Sequence, residues 1–275
     1  MNSDLEFLAP HGHICWAYED PAAFEEQARS YLAQGLAAGE RVWYVADGDC
    51  STLISRLSAI DGFAAALTSG AADVVSLGEA YDYGSVIEPE HQVSAYRAAT
   101  EAALAAGYRG LRVAADVTAL IGSAEQVDAF ARYEHLIDRY MRTAPMAAMC
   151  AYSRTVLGSD VIAQLACMHP ATNADDVLFR LCAGDEADSV TVAGELDPSH
   201  QQLLATALTR VDLRPVDGEL VLQAPELRFI DHRCLIELHE YARRRDADVV
   251  LRTPHTAAAR VVDMLGLENV RVEAA

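Results

Sequence analysis

The chain contains no lysine, and all 21 of its basic residues are arginine. Several catalytic centres depend on a lysine amine: the phosphate-binding loop of nucleotide hydrolases, the Schiff base of imine-forming enzymes and the serine–lysine dyad. Arginine cannot replace lysine in these centres, because its guanidinium neither deprotonates nor acts as an amine nucleophile. The sequence therefore excludes these three lysine-dependent centres.

Four further features are missing. No uninterrupted apolar stretch is long enough to span a bilayer, and the opening residues, MNSDLEFLAPHGH, lack the basic and apolar segments of a secretion signal. No basic patch offsets the net charge of -20, so we expect binding neither to nucleic acid nor to a membrane. No CxxC pair occurs among the six cysteines, which we interpret as buried thiols of a cytoplasmic protein.

Short apolar runs alternate with helical segments along the first 170 residues. Strands are predicted at 14–18, 41–46, 73–77, 111–115 and 147–152, with helices between them. Such alternation predicts an α/β fold, with a doubly wound and mostly parallel sheet. We place this domain at 1–170, a linker at 171–176 and a smaller α/β domain at 177–275.

The smaller domain resembles STAS domains, the fold of anti-sigma-factor antagonists. Three segments carry the resemblance. They are Val192–Asp197, Phe229–Asp231 and Thr253-Pro254 with Leu265–Leu267. The resemblance implies binding to an anti-sigma factor or a related regulatory protein, and Asp197, Asp231, His232 and Arg233 are the candidate contact residues.

In STAS antagonists that are phosphorylated, a serine follows the aspartate at the start of the helix. Here His232, Arg233 and Cys234 follow Asp231, so a kinase that transfers to a hydroxyl finds no acceptor. The resemblance therefore predicts protein binding without the usual phosphorylation switch. Asp231 also has a purely structural interpretation, because an aspartate at this position caps free helix amides.

The larger domain resembles the MEDS domain, a sensory module of prokaryotic regulators, some of which respond to one-carbon or halogenated compounds. The matching residues occur in order along the chain. They are His13–Cys15, Tyr18, Gly35, Gly39–Arg41, Tyr44–Asp47, Arg112-Val113, Asp116, Cys150–Tyr152 and His169-Pro170. The resemblance implies a degenerate RecA-like fold without nucleotide chemistry. No GxxxxGK[ST] motif is present, which agrees with that expectation.

Four residues of this domain are candidates for binding a small molecule: His13, Tyr18, Asp47 and Asp116. Asp47 and Asp116 follow predicted strands, at the edge where parallel sheets place their ligand crevices. With His13 and Tyr18 they are candidates to line one pocket. The alternative is that each aspartate caps the loop or helix that follows it.

We predict no catalytic residues, no cofactor and no metal site. His11, His13 and Cys15 alternate along one predicted strand, but their spacing is not that of a common closed zinc site. Glu134 and His135 fall on a long predicted helix that is rich in arginine. We interpret these charged residues as a solvated stripe along that helix.

Together these features predict a non-enzymatic signalling protein that senses a small molecule and transmits the signal through protein binding. The alternative is a scaffold protein, in which the STAS-like surface forms homo-oligomers or larger assemblies. A nucleotide-hydrolysing enzyme is the third candidate, and the missing lysine argues against it.

Overall fold

The computed structural model describes residues 12–81, 85–186 and 189–274, which divide into two compact units. The first unit holds the chain up to Leu165 together with Ala171–Ala174. The second holds Ala166–Pro170 and the chain from Asp175 onward.

The first unit alternates strands and helices as predicted. Its strands are β1 His13–Tyr18, β2 Arg41–Ala46, β3 Ala72–Ser76, β4 Leu111–Asp116, β5 Met146–Ser153 and β6 Ala171–Thr172. Its helices are α1 Pro21–Ala37, α2 Cys50–Arg56, α3 Phe63–Ser69, α4 Leu77–Ala80, α5 Pro89–Ala105, α6 Ala124–Met141, α7 Arg154–Leu157 and α8 Ser159–Ala166.

The six strands form one parallel sheet in the order β3-β2-β4-β5-β1-β6. Its central strands are buried along most of their length, as expected when helices cover both faces. The fold is therefore an α/β domain with a Rossmann-like core. Local signals begin the helices: Asp20 caps α1 by accepting a hydrogen bond from the Ala22 amide, and proline occupies the first helical position.

Side chains alternate across each strand and define two faces of the sheet. Ile14, Trp16 and Tyr18 of β1 belong to the hydrophobic core that includes Phe24 and Leu32 of α1. The intervening β1 residues, beginning with His13, point to the opposite face. There the His13 side chain meets Glu134 and Asp138 of α6.

Four elements of the first unit were not predicted. The short helices α3, α4 and α7 were missed, and Ala171 and Thr172, which we placed in the linker, form strand β6 beside β1. Asn173 extends this edge, since its side-chain amide accepts a 2.7 Å hydrogen bond from the Ala17 amide and donates a 2.8 Å bond to the Ala17 carbonyl. The side chain thus pairs with β1 as a peptide group would.

The second unit is a smaller α/β domain. Its strands are β7 Phe179–Ala183, β8 Val190–Leu196, β9 Glu219–Gln223, β10 Leu227–Ile230, β11 Asp248–Arg252 and β12 Val270–Glu273. Its helices are α9 Gln201–Val211, α10 His232–Arg244 and α11 Thr256–Leu265.

The sheet of the second unit runs β10-β8-β9-β11-β12 with all neighbours parallel, and β7 pairs antiparallel with β8. Strands β7 and β8, which follow each other along the chain, form this antiparallel pair. Strand β10 was not predicted, because Phe229 and Ile230 were noted only for the resemblance to STAS domains.

Candidate functional site

A buried polar cluster lies between the sheet of the first unit and helix α6. Its centre is His13, the first residue of β1, which has no exposed surface. The His13 Nε2 atom lies 3.1 Å from Oε2 of Glu134, and Nδ1 lies 3.1 Å from Oδ1 of Asp138. The two carboxylates are four residues apart on α6, and this spacing places both on one helix face.

Strand β5 completes the cluster from the sheet. Cys150 and Tyr152 are two residues apart, so their side chains share a face. The Cys150 thiol donates to Oε2 of Glu134 at 3.5 Å, and its sulfur lies 3.9 Å from His13 Nε2. The Tyr152 hydroxyl donates to the other carboxylate oxygen, Oε1 of Glu134. We call His13, Glu134, Asp138, Cys150 and Tyr152 the His13 cluster.

The cluster perturbs the acidities of its members. Burial alone would lower the pKa of His13, but the hydrogen bonds and charges of Asp138 and Glu134 outweigh it and raise the pKa to about 9. Burial, and secondarily the Glu134 charge, raise the pKa of Cys150 and of Tyr152 well above their ordinary values. In the protein alone, an imidazolium therefore lies between two buried carboxylates, beside a neutral thiol and a neutral phenol.

The interpretation of Glu134 and His135 as a solvated stripe is wrong. Glu134, His135 and Asp138 are buried together with the apolar residues of α6. Both carboxylates lie on the same stripe as Phe130 and Met141, and this periodicity was the available signal. His11, which we considered with His13 as a metal ligand, lies outside the described residues.

Tyr18 and Asp116 meet at the carboxyl end of the sheet. The Tyr18 hydroxyl donates to Oδ2 of Asp116 at 2.7 Å, while Oδ1 of Asp116 accepts from the amide and hydroxyl of Thr118. Burial and the Asp116 charge raise the pKa of Tyr18 above its ordinary value. Asp47 lies exposed just after β2. His13 is at the other end of β1 and faces α6, so the four candidates do not line one pocket.

A cavity of about 560 Å³ opens near the amino ends of the strands in the first unit. Arg112, Glu40 and Tyr31 contribute to its wall, as do Ile14, Met141 and Met146. The Arg112 guanidinium stacks on the Tyr31 ring at 4.6 Å, and its Nε donates to Glu40 Oε2 at 2.6 Å. We call this space the Arg112 cavity. Its volume is within the range of small-molecule sites.

In the second unit, the four candidate partner residues lie together at the ends of β8 and β10. The Asp231 amide donates to the Leu196 carbonyl at 2.8 Å, which brings the segment beside Asp197. Asp231 caps α10 through the Arg233 amide at 2.9 Å, and Asp197 accepts from the Ser199 amide at 2.8 Å. Both aspartates therefore cap the helical segments that follow them.

His232 and Arg233 are exposed at the first turn of α10. The His232 Nδ1 atom lies 3.0 Å from Oδ2 of Asp231, and 53% of the His232 side chain is exposed. Burial would raise the pKa of Asp231, but hydrogen bonds from Arg233 and His232 hold it below its ordinary value. A carboxylate beside two exposed basic side chains therefore marks this end of the second unit.

Comparison with protein families identifies the first unit. Residues 12–170 match the family model of the MEDS domain, described as the methanogen/methylotroph, DcmR sensory domain. The chain belongs to the MEDS family. This match confirms the resemblance noted in the sequence and gives the protein a sensory or signalling role. No curated protein matches the chain.

The MEDS match ends at residue 170, so it does not cover the second unit, and the resemblance of that unit to STAS domains stays a prediction. None of the helices in the described part of the chain combines the length and apolar character that a membrane span requires.

The MEDS signature residues seen in the sequence now have physical roles. His13, Cys150 and Tyr152 belong to the His13 cluster, whereas Glu40 and Arg112 belong to the Arg112 cavity. Gly35 belongs with the residues of the Arg112 cavity, since a Cβ atom at this position would lie 2.7 Å from Arg112 Cδ and 2.9 Å from Val42 Cγ1.

Replacing Gly35 with alanine is expected to destabilise the MEDS unit by about 1–3 kcal/mol, because the added methyl overlaps the Arg112 side chain. Arg112 cannot move away freely, since Tyr31 and Glu40 hold it. Chemical denaturation of the full chain measures the effect. The control is Gly78→Ala, where nothing lies within 4 Å and a gain of about 0.4–1 kcal/mol is expected. Equal effects of the two substitutions would contradict this account.

Proposed function

We propose that this protein is a non-enzymatic sensor, in which the MEDS unit binds a small molecule and the second unit binds a regulatory protein. The match of residues 12–170 to a sensory domain carries the proposal. The partner that best suits the STAS resemblance is an anti-sigma factor or a related cytoplasmic regulator. Transmission would be a shift between two arrangements with different ligand affinity, a coupling typically worth about 1–3 kcal/mol.

The Arg112 cavity is the proposed place for the small molecule. It offers space, apolar walls from Ile14, Met141 and Met146, and one stacked guanidinium. Gln34, Glu40 and Arg142 line the same cavity, so its wall combines polar and apolar groups. The choice of small one-carbon or halogenated compounds as ligands rests on the MEDS resemblance, and a concave site of this size can hold them. The carboxyl end of the sheet, with the bonded pair Tyr18 and Asp116 and the exposed Asp47, is the second candidate. This place is the weaker candidate, because the polar atoms of Tyr18 and Asp116 already form hydrogen bonds with each other and with Thr118.

Two observations support a role without catalysis. The loop after β1 carries Glu19 and Asp20, and Asp20 itself caps α1 where a nucleotide hydrolase would bind phosphate. The reactive groups of the His13 cluster are buried, and the pKa of its thiol is raised, which makes that sulfur a poor nucleophile.

The proposed protein-binding surface is the start of α10, around Asp231, His232 and Arg233. The STAS resemblance places the phosphorylated serine of its relatives at His232, and the nearby Cys234 is buried. A partner would therefore bind a surface that a serine kinase cannot switch. Control of binding would come from the MEDS unit instead.

Ligand binding is tested by thermal unfolding of the full chain with methanol or dichloromethane as probes. A saturable rise in melting temperature is expected for the wild type and should be lost in Arg112→Gln. Asp116→Asn tests the second candidate place. If the rise in melting temperature is lost only in Asp116→Asn, the ligand binds at the carboxyl end of the sheet instead of in the Arg112 cavity. No rise with either probe in any variant counts against sensing of these compounds.

Partner binding is tested by affinity capture with the full chain and with Arg233→Glu. Arg243→Glu is the matched control, because Arg243 is an exposed arginine at the other end of the same helix. Enrichment of an anti-sigma factor by wild type and control, but not by Arg233→Glu, is the expected result. Recovery of this protein alone, together with a concentration-dependent mass in solution, would favour the scaffold alternative.

A further inference from the structure

Three side chains of the His13 cluster present metal-binding atoms toward one point. His13 Nε2, Glu134 Oε2 and Cys150 Sγ are separated by 3.1 Å, 3.5 Å and 3.9 Å. A zinc ion with bonds of about 2.0–2.3 Å to tetrahedral ligands sets those ligands about 3.3–3.6 Å apart. Each observed separation differs from these values by only a few tenths of an ångström. The three atoms can therefore bind one ion with little movement.

The outer atoms of the cluster hold two of these ligands in place. Asp138 lies 3.1 Å from His13 Nδ1, so it can hold the proton on that nitrogen, and Nε2 then presents its lone pair toward Glu134 and Cys150, where the metal would bind. The Tyr152 hydroxyl donates to Glu134 Oε1, which leaves Oε2 toward the same point. A carboxylate behind the histidine and a donor behind the glutamate are the usual supports of metal ligands.

The chemistry of the donors favours a particular ion. A thiolate, an imidazole and a carboxylate together suit Zn²⁺, whereas Ca²⁺ and Mg²⁺ prefer oxygen atoms alone. All three donors are buried, and the two negative charges of Cys150 and Glu134 would balance a divalent cation away from water.

We propose that His13, Glu134 and Cys150 form a binding site for a zinc ion. Asp138 and Tyr152 act as positioning residues. This revises the expectation from the sequence, which considered His11, His13 and Cys15 on one strand. The three donors instead come from β1, α6 and β5. The site is independent of the proposed sensing and protein binding, so either proposal can fail without the other.

The test is the metal content of the full chain after expression with zinc and removal of loosely bound metal. About one zinc per chain is expected for the wild type and much less for Cys150→Ser. Cys182→Ser is the matched control, because Cys182 is a buried cysteine of the second unit. Asp138→Asn should retain the ligands but weaken zinc binding about 10–100-fold. Circular dichroism confirms that each variant is folded.

Cobalt substitution supplies a second measurement, which identifies the type of ligand as well as the presence of a bound ion. Co²⁺ in the full chain should give the sulfur-to-cobalt charge-transfer band of a thiolate ligand, with the visible bands of a tetrahedral ion. Cys150→Ser should lose the charge-transfer band and Cys182→Ser should keep it. Folded wild type that holds no stoichiometric zinc, or a charge-transfer band that persists in Cys150→Ser, would overturn the proposal.

Discussion

Replacing Gly194 with alanine is expected to cost the second unit more than about 4 kcal/mol, or to prevent it from folding. Gly194 has a φ of +91°, and a Cβ atom there would lie 2.1 Å from the Leu178 carbonyl oxygen. This oxygen belongs to the backbone and accepts a 2.8 Å hydrogen bond from the Glu195 amide. Neither the Leu178 oxygen nor the added Cβ atom can move away without breaking the pairing of β7 with β8. Hydrogen exchange of the full chain, read at second-unit amides, measures the loss.

Gly218→Ala separates the two causes of this effect. Gly218 has a similar φ of +82°, but nothing lies within 4 Å of its added methyl. It should therefore cost only the strain of a left-handed alanine, about 1–2 kcal/mol. A Gly194→Ala chain that loses no more protection than Gly218→Ala would show that the backbone of β7 adjusts to the methyl.

Gly194 also shows what a sequence pattern does and does not reveal. Val192–Asp197 was noted only as a family resemblance, and its glycine has a local physical cause in the close approach of Leu178. The alternation of strands and helices was predictable because runs such as Arg41–Ala46 are apolar and lie between capped helices. For most strands, the first and last residues in the structure differ from the predicted ones by no more than two positions.

The elements that were missed depend on contacts from elsewhere in the chain. Strand β10 has two exposed residues of four and a register shift against β8, so it lacks a clear periodicity. Strand β6 has only two residues, and the polar sequence around it reads as a linker. Its pairing depends on β1 and on the side-chain amide of Asn173, which are distant in sequence.

The His13 cluster was only partly predictable for the same reason. His13 was identified as a candidate residue, but Glu134 lies 121 positions away and Asp138 lies 125 positions away. Periodicity can place a carboxylate on the apolar stripe of a helix, but it does not tell which strand residue meets it. Glu134 and His135 were assigned to the solvated stripe of α6 because of the arginines near them, whereas both residues lie on its buried face.

Replacing His13 with leucine is expected to destabilise the MEDS unit by about 3–5 kcal/mol at neutral pH. The substitution removes the imidazolium and leaves Glu134 and Asp138 as buried carboxylates with like charge. The measurement is denaturant unfolding of the full chain with a chelator present, so that loss of a bound metal does not contribute. His91→Leu, on the exposed face of α5, is the control and should change stability by less than about 0.5 kcal/mol.

A triple variant tests whether uncompensated charge causes the loss. His13→Leu combined with Glu134→Gln and Asp138→Asn removes both negative charges with little change in volume. It should be more stable than His13→Leu alone, because a neutral buried amide costs less than a buried carboxylate that has lost its cation. If the triple variant is no more stable than the single one, the loss comes from packing around residue 13. The carboxylates would then be tolerated without their cation, either by protonation or by access to water.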